Sequence, residues 1–155
     1  MNLPKNLTDK GFTISAVSAS DLNDYTLVKK HCYKAYVDEY YNGNWSDERQ
    51  TDEFWHNMKF TCFMKISLHS ETVGFFAFDE QEDKIGGITI QITKEARNHG
   101  LGSFYLKEIV SVSDASNKPI FLKVFKSNPA QNLYKRFGFT VYDETATHYL
   151  MKYSK

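Results

Sequence analysis

The sequence has little of what secreted, membrane-spanning or nucleic-acid-binding proteins depend on. It contains only two cysteines, Cys32 and Cys62, and we expect both to be small buried hydrophobic side chains rather than a disulfide. The formal net charge is zero, which gives no long-range attraction to nucleic acid or to an anionic membrane. No apolar run is long enough to span a bilayer, and residues 1–11 lack the apolar core of a signal peptide. We therefore expect a cytoplasmic protein that binds neither nucleic acid nor membrane.

Two common kinds of catalytic site are also missing. The histidines include no pair at helical H-x-x-x-H spacing and no cysteine pair accompanies them, so we expect no metal site. There is no G-x-S-x-G elbow for a serine nucleophile. Aromatic residues, in contrast, make up 15% of the chain, which favours an aromatic-lined cleft or a tightly packed core. The length fits one domain, residues 1–155.

Residues 88–109 predict a β-strand that leads into a helix through two glycines. Apolar and polar residues alternate over residues 88–92, as in a strand. After Gly100 and Gly102 a helical period takes over, and one face carries Leu101, Tyr105, Ile109 and Val112. Glycines let the backbone approach a ligand closely, and the first turn of a helix offers free N–H groups and partial positive charge. A phosphate or pyrophosphate is the ligand that such a turn suits.

The same stretch departs from the two best-known phosphate-binding motifs. A Walker loop would need Lys after its last glycine, but Gly102 is followed by Ser103. A dinucleotide fingerprint would need a third small residue where Tyr105 stands. Arg97-x-x-Gly100-x-Gly102 directly after a strand instead resembles the pyrophosphate-binding motif of the GNAT superfamily, the acetyl-CoA-dependent N-acetyltransferases, usually written Q/R-x-x-G-x-G/A.

A second motif follows a short apolar strand predicted at residues 120–124. The pattern N-P-A-x-x-L-Y-x-x-x-G-F begins at Asn128. Asn128 suits the N-cap of a helix, Pro129 its first position and Gly138 its end. This pattern resembles the second signature block of the same superfamily. The two blocks stand in the order that the family has, with a strand between them.

The rest of the chain predicts the other elements of that family in order. We expect a strand at residues 12–17, a helix from Ser20 or Asp21 to about Tyr41, and a helix capped by Ser46. Two antiparallel strands at 60–68 and 72–78 follow, and a hairpin at 139–142 and 147–153 ends the chain. The resemblance covers nearly the whole chain. It implies an α+β fold, an α/β/α sandwich whose mixed, mostly antiparallel central sheet is flanked by helices.

The resemblance also implies a binding site for acetyl-CoA (CoA). Backbone groups of the central strand would pair with the pantetheine arm, the turn and helix start would hold the pyrophosphate, and Asn128 would contact the cofactor. The predicted cofactor-binding residues are Ile90, Gln91, Ile92, Arg97, Asn98, His99, Gly100, Leu101, Gly102, Ser103 and Asn128.

Tyr134 of the second block would be the general acid that protonates the departing thiolate. Its reference pKa of about 10 keeps it protonated at neutral pH. Many family members also carry a glutamate base on the central strand or the next one, but here those strands offer Gln91 and Lys123. The general base that deprotonates the amine could therefore be Glu53, His148 or a chain of water molecules.

The acceptor amine is less well defined by the sequence. The aromatic connection between the first two helices, with Tyr40 and Trp45, stands where the family places its acceptor wall, although both rings would equally suit a core. The segments 36–50 and 144–151 resemble a branch of small bacterial GNAT proteins of undefined substrate. We expect a primary amine of a small molecule or peptide as the partner. The alternatives are a non-catalytic CoA-binding sensor or interaction module and an enzyme that uses longer acyl groups. An exposed final strand would allow a homodimer.

Overall fold

Helices and strands follow one another along the chain in the predicted order, with one short helix added at the start. The computed structural model describes all residues from Met1 to Lys155. The helices are α1 (Lys5–Thr8), α2 (Leu22–Tyr40), α3 (Asp47–Asn57), α4 (Leu101–Ser116) and α5 (Ala130–Arg136). The strands are β1 (Phe12–Ala16), β2 (Cys62–Leu68), β3 (Glu71–Glu80), β4 (Ile85–Ile92), β5 (Ile120–Phe125), β6 (Thr140–Glu144) and β7 (His148–Tyr153). Short 3-10 turns occupy Ala19–Asp21 and Lys94–Ala96.

The strands form one sheet in the order β1-β2-β3-β4-β5-β7-β6. All neighbours are antiparallel except β4 and β5, which run parallel and pair only at Ile85 and Ile120. The Ile85 N–H donates to the carbonyl of Pro119 at 2.9 Å. Beyond this point no backbone pairing joins the two strands. Their carboxyl ends therefore leave a cleft in the middle of the sheet.

Hydrophobic residues bury both faces of the sheet, as an α/β/α sandwich requires. Alternation along β3 sends Phe76 and Phe78 to the core on the α4 side and Phe75 and Ala77 to the core on the α2 and α3 side. On the α4 side, Tyr105 stacks on Phe76 with ring centroids 4.4 Å apart. The predicted α+β fold is confirmed, with the mixed, mostly antiparallel sheet in the middle layer.

Helix starts follow the predicted capping chemistry closely. The Ser46 hydroxyl accepts the N–H of Arg49 at 3.1 Å, which confirms the predicted N-cap of α3. At the second signature block, the helix begins at Ala130, one residue later than predicted. Asn128 nevertheless caps it, because its Oδ1 accepts the Ala130 N–H at 2.9 Å.

A buried carboxylate fixes the start of α2. Asp21 accepts the Ser18 N–H at 2.8 Å and forms an ion pair with Lys65 of β2, also at 2.8 Å. Burial by itself would raise the pKa of Asp21. The hydrogen bond and positive charge of Lys65, together with the hydrogen bonds from Ser18, outweigh the effect of burial and lower the pKa of Asp21 below its usual value. This ion pair ties α2 to the sheet.

The short α1, anchored by the buried Leu7, was not predicted. The expectation that the final strand is exposed is wrong: β7 lies between β5 and β6, and β6, all of whose residues are exposed, forms the edge. Cys32 and Cys62 are free and partly buried. None of the helices has both the length and the apolar character needed to cross a membrane.

Candidate active site

The divergence of β4 and β5 opens two cavities that meet in the cleft. One, of about 650 Å³, is lined by the start of α4 and by α5, and is called the α4 cavity here. The other, of about 440 Å³, is lined by α2, α3 and the two diverging strands, and is called the α3 cavity. Tyr33, Ile90 and Asn128 line both. The two cavities are therefore adjacent to each other.

The turn before α4 presents a row of free backbone donors to the α4 cavity. Asn98 and Gly100 have positive φ angles of 64° and 93°, which curl the chain around the helix start. The N–H groups from Asn98 to Ser103 have no hydrogen-bond acceptor within the protein; the first helical bond runs from Phe104 to the carbonyl of Gly100. Unpaired N–H groups at a helix N-terminus bind anions. Arg97 and Arg136 also line this cavity.

Most of the predicted cofactor-binding residues come together here. The members that line the α4 cavity are Ile90, Ile92, Arg97, Asn98, Gly100, Leu101, Gly102, Ser103 and Asn128. Gln91 lines the α3 cavity instead, because side chains alternate along β4. His99 lines neither cavity, since its ring packs against Phe12 with centroids 5.5 Å apart.

The central strand presents backbone groups to the cleft. Backbone N–H and C=O groups of successive residues in a strand point in opposite directions. The N–H of Thr93 bonds to the carbonyl of Val73 in β3, so the N–H and C=O groups of Ile90 and Ile92 point away from β3. The Tyr33 hydroxyl donates to the Ile90 carbonyl at 3.1 Å, and Arg97 Nε donates to the Ile92 carbonyl at 2.9 Å. Tyr33 was not among the predicted site residues; its place in the helical pattern of α2 gave no sign of this contact.

Helix α5 delivers one side chain to each cavity. Leu133 lines the α4 cavity, and its neighbour Tyr134 lines the α3 cavity. Tyr134 is 5% exposed, and its hydroxyl has no hydrogen-bond partner within the protein. Burial raises the pKa of Tyr134 well above its ordinary value. The hydroxyl is therefore protonated and free to donate a hydrogen bond into the cavity.

A partly buried ion pair between α2 and α3 lines the α3 cavity. Glu53 Oε1 accepts the Tyr25 hydroxyl at 2.8 Å and also accepts Lys29 Nζ. Burial lowers the pKa of Lys29, and the charge of Glu53 opposes that shift without cancelling it. Burial and the Glu53 charge together raise the pKa of Tyr25. Glu53, one of the two candidate bases, is therefore already engaged by two donors.

His148, the other candidate base, enters the same cavity from β7. Its ring lies on Phe125 with centroids 4.1 Å apart, and its Nδ1 is 2.7 Å from the Thr147 hydroxyl. Burial and the nearby charge of Lys123 lower the pKa of His148, so the ring is neutral at pH 7. Its Nε2 has no hydrogen-bond partner within the protein.

Of the two residues predicted to border the acceptor site, only one lines either cavity. Trp45 lines the α3 cavity, where its Nε1 donates to Asp47 at 2.9 Å. Tyr40 lines neither cavity: its ring stacks on Phe125 at 5.2 Å, and its hydroxyl accepts the Ser127 N–H at 3.0 Å. Tyr40 thus braces the end of β5 rather than facing the cavity.

A model of the acetyltransferase (GNAT) family matches residues 30–139. The chain belongs to the GNAT family. As a GNAT protein it is an acyltransferase that uses acetyl-CoA. No curated protein sequence matches it.

Solved GNAT structures share the fold at low sequence identity. The PaiA N-acetyltransferase of Thermoplasma acidophilum, solved with coenzyme A, is 18% identical and has a TM-score of 0.72; the match covers 93% of this chain and 99% of that one. The ribosomal-protein-S18-alanine N-acetyltransferase of Escherichia coli is 18% identical, with a TM-score of 0.67 and coverage of 92% and 93%. YncA of Salmonella typhimurium, solved with its cofactor acetyl-CoA, is 13% identical, with a TM-score of 0.67 and coverage of 93% and 94%.

The residues of the α4 cavity suit the cofactor of this family. The free N–H groups from Asn98 to Ser103 match the acceptor oxygens of a pyrophosphate. An added β-carbon at Gly100 would meet no atom within 4 Å, so the backbone there is open to a ligand. A β-carbon at Gly102 would stand 2.9 Å from Leu133 Cδ2 and 3.4 Å from Ile90 Cδ1, against the side chains that line the cavity.

Proposed function

We propose that the protein transfers the acetyl group of acetyl-CoA directly to a primary amine of a small molecule or peptide. The observation that carries the proposal is the meeting of the two cavities at Ile90. One cavity has the free N–H groups of Asn98 to Ser103, and the other has the unpartnered hydroxyl of Tyr134. A cofactor held by the first cavity would present its reactive end to an amine in the second.

The residues of the α4 cavity would bind and orient the cofactor. The turn from Asn98 to Ser103 would hold the pyrophosphate, with Arg97 and Arg136 adding positive charge. The N–H groups of Ile90 and Ile92, which point into the cleft, would pair with the pantetheine arm. Acetyl-CoA supplies an activated thioester whose C–S bond breaks as the amine nitrogen forms its bond to the acetyl carbon.

Tyr134 would donate a hydrogen bond to the sulfur as negative charge develops there. The thiol of the leaving group has a pKa near that of free cysteine, about 8.5, so a tyrosine with a raised pKa gives up its proton only late in the step. The same raised pKa keeps the hydroxyl protonated over the whole working pH range. Stabilisation of the developing charge is therefore the larger part of its contribution.

His148 is our choice for the group that takes the proton from the amine. It is neutral at pH 7, its Nε2 is unpartnered, and it lines the same cavity as Tyr134. Glu53 is less suitable, because Lys29 and Tyr25 already donate to its Oε1. The carbonyl-type Oε1 of Gln91, which has no donor within the protein, would accept a hydrogen bond from the same amine.

The proposal is tested by following thiol release from acetyl-CoA with a panel of small primary amines and amine-terminated peptides. We expect at least one amine to accelerate thiol release and to appear as its N-acetyl product by mass spectrometry. Tight CoA binding by calorimetry with no amine-dependent release from any member would contradict acetyl transfer to amines. That result would favour the non-catalytic CoA-binding module.

A further inference from the structure

The α3 cavity has an excess of positive charge. Its lining includes the cationic residues Lys29, Arg49 and Lys123 and one carboxylate, that of Glu53. Glu53 forms an ion pair with Lys29. Arg49 and Lys123 form no salt bridge with any acidic group of the protein. Two cationic side chains, from α3 and β5, therefore face one cavity without a counter-charge.

The charges in this cavity act on one another. After burial and the opposing charge of Glu53, the charges of Arg49 and Lys123 also contribute to the lowered pKa of Lys29. Lys123 likewise contributes to the lowered pKa of His148, after burial. Arg49 and Lys123 both line this cavity together with Lys29 and His148, so their charges can act on a ligand bound there.

The same cavity also has buried acceptors that lack donors. Gln91 and Gln50 are 1% and 7% exposed, both line the cavity, and the Oε1 of each has no hydrogen-bond partner. A buried acceptor without a donor destabilises the protein, so a ligand that supplies an N–H group relieves that cost. Amine nitrogens are such donors. The cavity thus offers acceptors for a nitrogen and cations for an anion.

We propose that the acceptor is a small amine that also carries an anionic group, such as a carboxylate or a phosphonate. Arg49 and Lys123 bind the anionic group, and Gln91 receives the amine next to Tyr134. This substrate class rests on the proposed acetyl transfer. The guanidinium of Arg49 suits a carboxylate or phosphonate, since its donors form a planar fork, and Lys123 adds a second point charge.

The experiment compares amines that differ only in the anionic group. The probes are β-alanine and β-alaninamide, γ-aminobutyrate and its amide, and δ-aminovalerate and its amide, which sample three distances between the nitrogen and the anion. Each pair is compared by kcat/KM at equal concentrations of unprotonated amine. Binding of each probe to the CoA-saturated protein is measured by calorimetry. We expect the anionic member of at least one pair to be preferred about tenfold or more, as removal of one hydrogen bond to a charged group would predict.

Charge-removing variants locate the effect. In Arg49→Gln and Lys123→Gln, the ratio of kcat/KM between the anionic amine and its amide should fall about tenfold, mainly through KM, and the preference should weaken as salt is raised. Lys107→Gln is the matched control, because Lys107 is exposed on α4 and lines neither cavity. Its ratio should equal that of the parent. CoA affinity, measured on each variant, verifies that the fold is kept.

The outcomes separate this inference from the proposed function. Acetylation of the amides as fast as of the anionic amines, with equal binding, would overturn the anion site and leave acetyl transfer standing. Preferential binding of the anionic probes without any transfer would support the anion site and contradict the proposed reaction. A preference that persists in both Arg49→Gln and Lys123→Gln would also overturn the assignment of the anion to these residues.

Discussion

Removal of the Tyr134 hydroxyl gives the sharpest test of how the cleft works. In Tyr134→Phe the ring stays, with its contact to Phe139 at a centroid distance of 5.9 Å. The hydroxyl has no hydrogen-bond partner within the protein, so its removal breaks no protein hydrogen bond, which would ordinarily contribute about 1 kcal/mol. We therefore expect the free energy of unfolding to stay at the parent value or to rise slightly.

The effect on the rate should be much larger than the effect on stability. A hydrogen bond to a charged group contributes about 1.5–3 kcal/mol, which corresponds to about a tenfold to 150-fold change in rate. A preorganised hydrogen-bond donor that stabilises a developing negative charge typically contributes about a hundredfold to a thousandfold to kcat. We expect kcat to fall by at least about a hundredfold. CoA affinity should change little, because Tyr134 lines the α3 cavity and not the α4 cavity.

Single-turnover thiol release, at a pH where the chemical step limits the rate, is the appropriate measurement. Tyr153→Phe is the matched control: its hydroxyl donates to Asp114 at 2.9 Å, and it lines neither cavity. This control should lose a little stability and no activity. Full activity in Tyr134→Phe would refute our reasoning and show that another group stabilises the departing sulfur.

Three further predictions concern the cofactor site, the fold and the cysteines. Gly102→Val should weaken CoA binding about tenfold or more in calorimetry, because its side chain would press against Leu133 and overpack the cavity; unchanged affinity would place the cofactor elsewhere. Asp21→Asn should lower the free energy of unfolding by about 1–3 kcal/mol in urea titrations at pH 7. Because the pKa of folded Asp21 lies below its unfolded value, this difference should be full above the unfolded pKa, about 3.9, and vanish as the pH falls through the folded pKa; a difference that persists unchanged at lower pH would contradict the ion pair with Lys65. Burial raises the pKa of Cys62 to about 11, so iodoacetamide at pH 8 should label the native protein far more slowly than the urea-unfolded chain; equal rates would show that this thiol is not protected.

Local chemistry explains which parts of the fold and site were predictable. The glycine turn before α4 and the capped start of α5 depend on residues that are consecutive in the chain, so the positions of Gly100, Asn128 and Tyr134 at the cleft could be predicted from the sequence; their roles stay predictions. Tyr33 and Lys29 were not, because nothing near them in the chain shows that α2 packs over the cleft. The divergence of β4 from β5 depends on pairing between distant segments, and no local pattern encodes it.

The sparse pairing between β4 and β5 has a consequence for how the protein opens. Backbone hydrogen bonding divides the sheet into one unit of β1 to β4 and another of β5, β7 and β6, joined at Ile85. The two units share the core around α4, and away from Ile85 their separation is resisted by side-chain contacts, including the ion pair of Lys118 with Glu80 and the hydrogen bond between Tyr40 and Ser127. Such sparse pairing favours local unfolding of the smaller unit, β5, β7 and β6, before global unfolding. A ligand that contacts both β4 and the start of α5 would hold the two units together. Cofactor binding would therefore make them unfold as a single cooperative unit.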